Sequence, residues 1–318
     1  MNRDMKKFLL KLSLLLSFLM SVFAFLAFTS VFIIGNHYQG SYTASLSDKV
    51  ARLKSINEPK IILETGSNLA FGIYSPMIEE AMNMPVVNMG IHSEFGNAFN
   101  ENMMKCNLNS GDIVIVCHLT FSDEDTIKGP LLMWKTIEYN KDLWEIVRLK
   151  DYPDMLQAWP VYLWDVFISW MKGGTNYEPP YSRKAFNEYG DIVNRPEESR
   201  KDIETLLKER EVKVREINDI CIDRLNELNR YVSEHGATLL VAGYPIISGD
   251  FTPPPEDYDA FTRELSERLD CEVISDYRDY FIPYKYFYDT IYHLDEEGAK
   301  IRTSQLIKDI KRWQSKHR

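Results

Sequence analysis

Ser67, Asp289 and His293 are the residues whose types and placing first suggest chemistry. Ser67 stands in "ETGSNLAFG" (64–72), where the apolar run "KIIL" meets a turn and a helix-like pattern then resumes. Asp289 and His293 stand in "YDTIYHLDEEG" (288–298), just before the last helical stretch. A serine hydroxyl is a poor nucleophile until a base takes its proton. Histidine is that base near neutral pH, and a carboxylate can orient its imidazole. Backbone amides at Ser67 and Gly90 are the expected donors to an oxyanion. Asn68, His92, His118 and Tyr292 are expected around them as substrate contacts. Plainer roles compete. A serine at a strand–helix turn is commonly a helix cap. His293 has the alternative of packing under the last helix, and Asp289 that of an ordinary loop carboxylate. His118 either supplies a side-chain donor or simply ends a strand. His92, His118 and His293 would have to converge to hold a metal, and no short ligand spacing supports that, so neither metal nor cofactor is expected.

Elements of matching kind surround these residues. Apolar runs at 60–64, 85–90, 111–118, 237–244 and 271–275 read as buried strands. Helix-like stretches separate the first three, with Leu69, Ile73, Met77 and Met82 marking one and "GNAFNENMMKCNL" another. Strand alternating with helix implies a parallel sheet covered on both faces. Ligands bind such sheets beyond the carboxyl ends of the strands. Ser67, Gly90, His92 and His118 all fall there. A stretch rich in helix formers, 131–235, interrupts the alternation. It opens with five of the six tryptophans and closes with one long helical pattern over 196–235. The tryptophans suit either a membrane interface or a cover over the sheet. The aromatic stretch "DYRDYFIPYKYFYDTIYH" suits either sugar stacking or packing under the last helix, about 295–313.

The amino end differs in kind. Residues 1–11 are basic, and residues 12–34 run 23 positions without a charge. At about 1.5 Å per residue that run spans a hydrocarbon core of about 30 Å. The basic flank predicts a cytoplasmic amino end and an extracytoplasmic main domain. A cleaved signal peptide would have an apolar part of about 7–15 residues, so an uncleaved single-pass anchor is the expectation. Residues 35–59 read as a polar stalk and 60–318 as the external domain. The net charge of −10 argues against a nucleic-acid partner. The four cysteines have no paired spacing and read as separate small apolar residues.

A serine after strand one, a glycine after strand two in "VVNMGI", and an Asp…His pair before the last helix together resemble the SGNH (GDSL-like) hydrolase family. With the anchor, the chain looks closest to the membrane-bound branch that includes the teichoic-acid D-alanylation and alginate O-acetylation proteins. The resemblance covers roughly 60–120 and 237–313. It implies an SGNH-like (flavodoxin-like) α/β domain with a helical insertion. It implies Ser67 as nucleophile, His293 as base and Asp289 as its orienter. It also implies acyl transfer, notably O-acetylation, onto an extracellular polysaccharide or cell-wall polymer, with a membrane-bound O-acyltransferase as partner and acyl donor. Three features depart from the family pattern. The final motif has one residue more than Asp-x-x-His, "CHLTFSDED" replaces the usual Gly-x-Asn-Asp block, and no Asp lies between Gly66 and Ser67. "FNEYGD" (186–191) also resembles a segment of such proteins, with no chemistry assigned. Two other functions stay open: an esterase using the same site with water, and a non-catalytic adaptor for polymer or acyltransferase.

Overall fold

A computed structural model of the chain describes residues 3–29, 37–122, 125–138, 140–208, 212–249 and 252–317. The uncharged run forms helix α1 (Arg3–Phe28), long and apolar enough to cross a membrane. The expected anchor residues 30–34 lie outside the described residues. Beyond them the chain continues through α2 (Leu46–Ser55), β1 (Ile61–Glu64), α3 (Ser67–Gly72), α4 (Ser75–Met82) and β2 (Val86–Asn88). Next come α5 (Asn97–Met103), β3 (Ile113–Val116), α6 (Pro130–Ile137), α7 (Lys141–Trp144) and α8 (Tyr152–Met171). The last part holds α9 (Ile203–Lys208), α10 (Asp219–Glu234), β4 (Thr238–Val241), β5 (Ile246–Ser248), α11 (Pro255–Arg268), β6 (Glu272–Val273), β7 (Phe281–Pro283) and α12 (Glu296–Lys316).

The main sheet is parallel throughout, in the order β2-β1-β3-β4-β6. The five strands expected from the apolar runs are these five, shortened at their ends. Alternate residues serve opposite faces. Ile61, Leu63, Ile113 and Ile115 pack with Leu69, Ile78, Leu306 and Ile310 of α3, α4 and α12. Ile62, Val114, Val116 and Leu239 pack on the other face with residues of α2, α5, α10 and α11. A strand covered on both sides has no polar face, which is why these segments read as continuous apolar runs. The chain steps from β1 to β2 on one side and returns to β3 on the other. That reversal opens a crevice at the carboxyl ends of β1 and β3. β5 and β7 form a separate small parallel pair.

Two expectations are corrected. The segment read as a stalk is folded from residue 37 onward, with Tyr38, Tyr42, Leu46, Val50 and Leu53 buried in the core. The stretch after Ser67 forms two helices, α3 and α4, divided where Pro76 starts the second. Pro76 sits in the first turn of α4, where its missing N–H costs nothing, and the N–H of Tyr74 is taken by the Thr303 hydroxyl at 2.9 Å. The long pattern over 196–235 is also broken. Asn218 caps α10 by accepting from the Cys221 N–H at 2.8 Å, and Ile217 bridges to Phe121. The non-helical residues before the cap carry Arg215 to the cleft at the sheet end. No disulfide joins the four cysteines.

Candidate active site

β1 ends in Glu64, and two residues later Gly66 turns the backbone so that Ser67 opens α3. A Cβ at Gly66 would make ordinary contact with Ser93, its nearest neighbour the Ser93 amide nitrogen at 3.4 Å. Ser67 is half-buried, its amide at the first helical position, where no carbonyl of an earlier turn can accept from it.

The opposite wall comes from a closed loop after β7. Phe287 bridges to Leu294, and the N–H of Tyr288 donates to the His293 carbonyl at 2.8 Å. Inside the loop the Thr290 hydroxyl oxygen accepts from the amides of Tyr292 and His293 at 3.2 and 3.1 Å. This turn absorbs the extra residue between Asp289 and His293. His293 Nδ1 lies 2.8 Å from Asp289 Oδ1, and its Nε2 lies 2.9 Å from Ser67 Oγ. Asp289 and His293 are both buried. The other Asp289 oxygen accepts from the Tyr181 hydroxyl. Burial alone would push the Asp289 carboxyl up. The hydrogen bond and charge of His293, the Tyr181 hydroxyl and the charge of Lys201 outweigh it and hold the group below its ordinary value. An ionised Asp289 accepts a hydrogen bond from the Nδ1–H, which leaves the Nε2 lone pair to accept from the serine hydroxyl. This order of groups can generate an alkoxide at Ser67.

Neither a protein-family model, nor a curated protein, nor a solved structure matches this chain. The chemical reading therefore rests on the residues themselves.

The remaining expected residues divide. Tyr292 lines the cleft above Ser67, a hollow of about 250 Å³ whose walls also include Ser93, Asn97, Thr120 and Arg215. Its hydroxyl accepts from Arg215 at 3.0 Å. A neighbouring groove of about 440 Å³ shares Leu119, Arg215 and Tyr292 with it and continues over Pro245 and Ile291. His92 is half-buried, and its Nδ1 accepts from the Glu94 amide at 3.2 Å. Burial holds His92 below its ordinary value, offset in part by Glu94 and reinforced by the charge of His293.

Three residues are corrected. The N–H of Gly90 does not face the cleft, because it donates to Asn88 Oδ1 at 2.9 Å. The glycine is instead a packing site: a Cβ there would lie 2.5 Å from Leu69 Cβ. Asn68 lines the floor of the cleft but is fully buried, its carbonyl and side-chain Oδ1 accepting from Arg302 at 2.7 and 3.3 Å, so it offers little surface to a substrate. His118 is also fully buried, with Nε2 3.1 Å from Glu64 Oε2, and supplies no donor to the cleft. Among the described residues no three His, Cys, Asp or Glu side chains are grouped to hold a metal.

Four residues around the triad escaped the sequence reading: Tyr181, Phe71, Asn97 and Arg215. Phe71 had a readable signal, since it lies one helical turn beyond Ser67. Tyr181 had none, lying 108 positions from its partner Asp289. "FNEYGD" proves to be a brace. Asp191 accepts from Asn88 Nδ2 at 2.8 Å and from Ser75, while the Asn88 amide donates to the Tyr189 carbonyl at 2.9 Å. The same Asn88 side chain holds Gly90 and the carbonyl of Leu69. The segment thus fixes α3 from behind.

Proposed function

We propose that this chain is an SGNH-like serine acyltransferase, anchored by α1 and acting on an extracytoplasmic polysaccharide or cell-wall polymer. The observation that carries this reading is the continuous contact from Asp289 through His293 to Ser67 Oγ, at 2.8 and 2.9 Å. The strand order β2-β1-β3-β4-β6, with the serine at the reversal, supports a flavodoxin-like frame. The apolar length and basic start of α1 support a single-pass anchor with the site outside.

His293 Nε2 takes the Ser67 proton as Oγ attacks the carbonyl of an acyl donor. The Ser67 amide, at the first position of α3, is the oxyanion donor. Collapse of the adduct breaks the donor bond, and the imidazolium returns its proton to the leaving group. His293 then deprotonates a polymer hydroxyl, which attacks the acyl-serine and frees Ser67. O-acetylation is the transfer that the family resemblance implies, with a membrane-bound O-acyltransferase as donor. Water in place of the hydroxyl would make the same site an esterase. The adjoining groove of about 440 Å³ favours an acceptor larger than water.

Intact mass after treatment with a serine-directed phosphonate tests the site. The wild-type protein should gain one adduct that Ser67→Ala and His293→Ala both lose, with folding unchanged. In cells, each variant should lower polymer acylation by about 10³-fold or more, and the double variant by no more than either single one. Full acylation by Ser67→Ala would replace the enzyme by the adaptor reading.

A further inference from the structure

Helix α8 has three faces. Met155, Tyr162, Val166 and Ser169 are buried against the protein. Asp154, Gln157 and Asp165 lie along a second face, where Asp165 pairs with Lys135 at 2.6 Å. Along the third, Leu156, Trp164, Phe167, Trp170 and Met171 recur at helical spacing and point outward. Trp164, Phe167 and Trp170 are 62%, 45% and 60% exposed. A row of this size in water is costly, at about 25 cal/mol per Å² of apolar surface, and marks a contact surface.

The row adjoins α1. The rings of Phe23 and Trp159 meet edge-on at 5.2 Å. Between the two helices lies an almost wholly apolar hollow of about 520 Å³, lined by Leu26, Leu163, Trp164, Phe167 and Trp170 among others. Phe23 lies twelve residues past Lys11, the last charge of α1. That is about 18 Å along a helix, beyond the middle of a hydrocarbon core of about 30 Å. If α1 spans the bilayer, the α8 row stands at the level of the outer leaflet. Tryptophan and phenylalanine are the side chains suited to that depth. With one face packed on the protein and Asp154 and Asp165 along another, α8 suits lying in the interface rather than crossing it. Among the described residues α1 alone meets the length and hydropathy of a span.

We propose that α8 lies in the outer membrane interface as a second lipid contact, its aromatic row among the acyl chains. The inference rests on the reading of α1 as an anchor. Two contacts fix the tilt and rotation of the domain over the bilayer, where one helix alone would let it swivel.

The test uses the full chain, with Cys106 replaced by serine, in phosphatidylcholine–phosphatidylglycerol vesicles. A nitroxide is placed in turn at Phe167→Cys, Trp170→Cys and, as a control on the exposed side of α12, Ile301→Cys. Collisions with oxygen and with a water-soluble nickel chelate are compared. The oxygen-to-nickel ratio at 167 and 170 should exceed that at 301 several-fold. Ratios equal to the control in vesicles that float with the protein would overturn the α8 contact and leave the anchor standing. Protection from both quenchers would mean a protein, such as a second copy, covers the row, and would also overturn it. Failure of the protein to float with the vesicles would overturn the anchor and the α8 contact together.

Discussion

The imidazole of His293 lies flat against the ring of Phe71, centroids 4.0 Å apart and planes 5° from parallel. Phe71 sits one turn beyond Ser67 on α3, so a single short helix carries both the proposed nucleophile and the flat surface that lies against the proposed base. Phe71→Leu keeps an apolar side chain and removes the flat face. The expected cost is about 1 kcal/mol in stability and about a hundredfold loss in acyl-enzyme formation, because the Nε2–Oγ contact loosens. Phosphonate labelling rates beside urea unfolding separate the two. A variant that labels at the wild-type rate would mean that Asp289 alone positions the ring.

Asp289 is held from both sides, by His293 and by Tyr181. Asp289→Ala should lower acyl transfer by about 10²-fold less than loss of Ser67 or His293 does, since it orients the base without touching the substrate. Tyr181→Phe should cost about tenfold, the worth of one hydrogen bond to an ionised group. A depressed carboxyl value stabilises the fold above the unfolded value near 3.8, and that contribution disappears as pH falls through the folded value. Without Tyr181 the folded value rises, so acid unfolding should begin at a higher pH. Asp295→Ala is the contrast. Asp295 caps α12 through the Gly298 amide at 2.9 Å, so its loss should cost about 1 kcal/mol and spare activity. The reverse ranking of Asp289 and Asp295 would sink this assignment.

Gly90→Ala should injure both stability and activity. Its Cβ would come within 2.5 Å of Leu69 Cβ and 2.9 Å of the Ala70 nitrogen, neither of them a flexible tip. α3 must shift, and Ser67 with it. The expected stability loss is about 1–3 kcal/mol, with slowed phosphonate labelling of the protein that remains folded. An unchanged melting temperature would show that α3 yields without strain.

Glu64 lies fully buried beneath the cleft. Burial raises its carboxyl well above the ordinary 4.5, only partly offset by the charge of Arg224. The unfolded chain gives up this proton near 4.5 while the folded protein keeps it. The unfolded state therefore binds fewer protons, and the contribution of Glu64 to stability falls as pH rises above 4.5 towards the folded value. Glu64→Gln has no such proton and still offers a donor to His118 Nε2. Its stability relative to wild type should grow with pH across that window in urea titrations. A difference that stays flat with pH would contradict a protonated Glu64.

The five main strands were legible because each is covered on both faces and so had to be a continuous apolar run. Ser67, His293 and Asp289 were legible because strand-end turns and the start of the last helix are recognisable places. The helix boundaries were less so. Over 196–235 the apolar spacing is helical, yet 212–218 are not helical, with Ile217 bridged to Phe121 and Asn218 capping α10. A tertiary contact outweighs local propensity there. Gly90 was read as a donor to the cleft, because nothing local tells that Asn88 takes its N–H.

By itself, the sequence determined a parallel α/β sheet, a helix long and apolar enough for a membrane, and the chemical kinds gathered at the strand ends. Those follow from periodicity and hydropathy, which act over neighbouring residues. Only the tertiary structure decided that Ser67 and His293, 226 positions apart, meet at 2.9 Å, that Tyr181 closes on Asp289, and that "FNEYGD" braces α3 through Asn88. Hydrogen bonds between side chains of distant segments leave no periodic trace. They form where packing brings the segments together, and buried polar groups must then find each other.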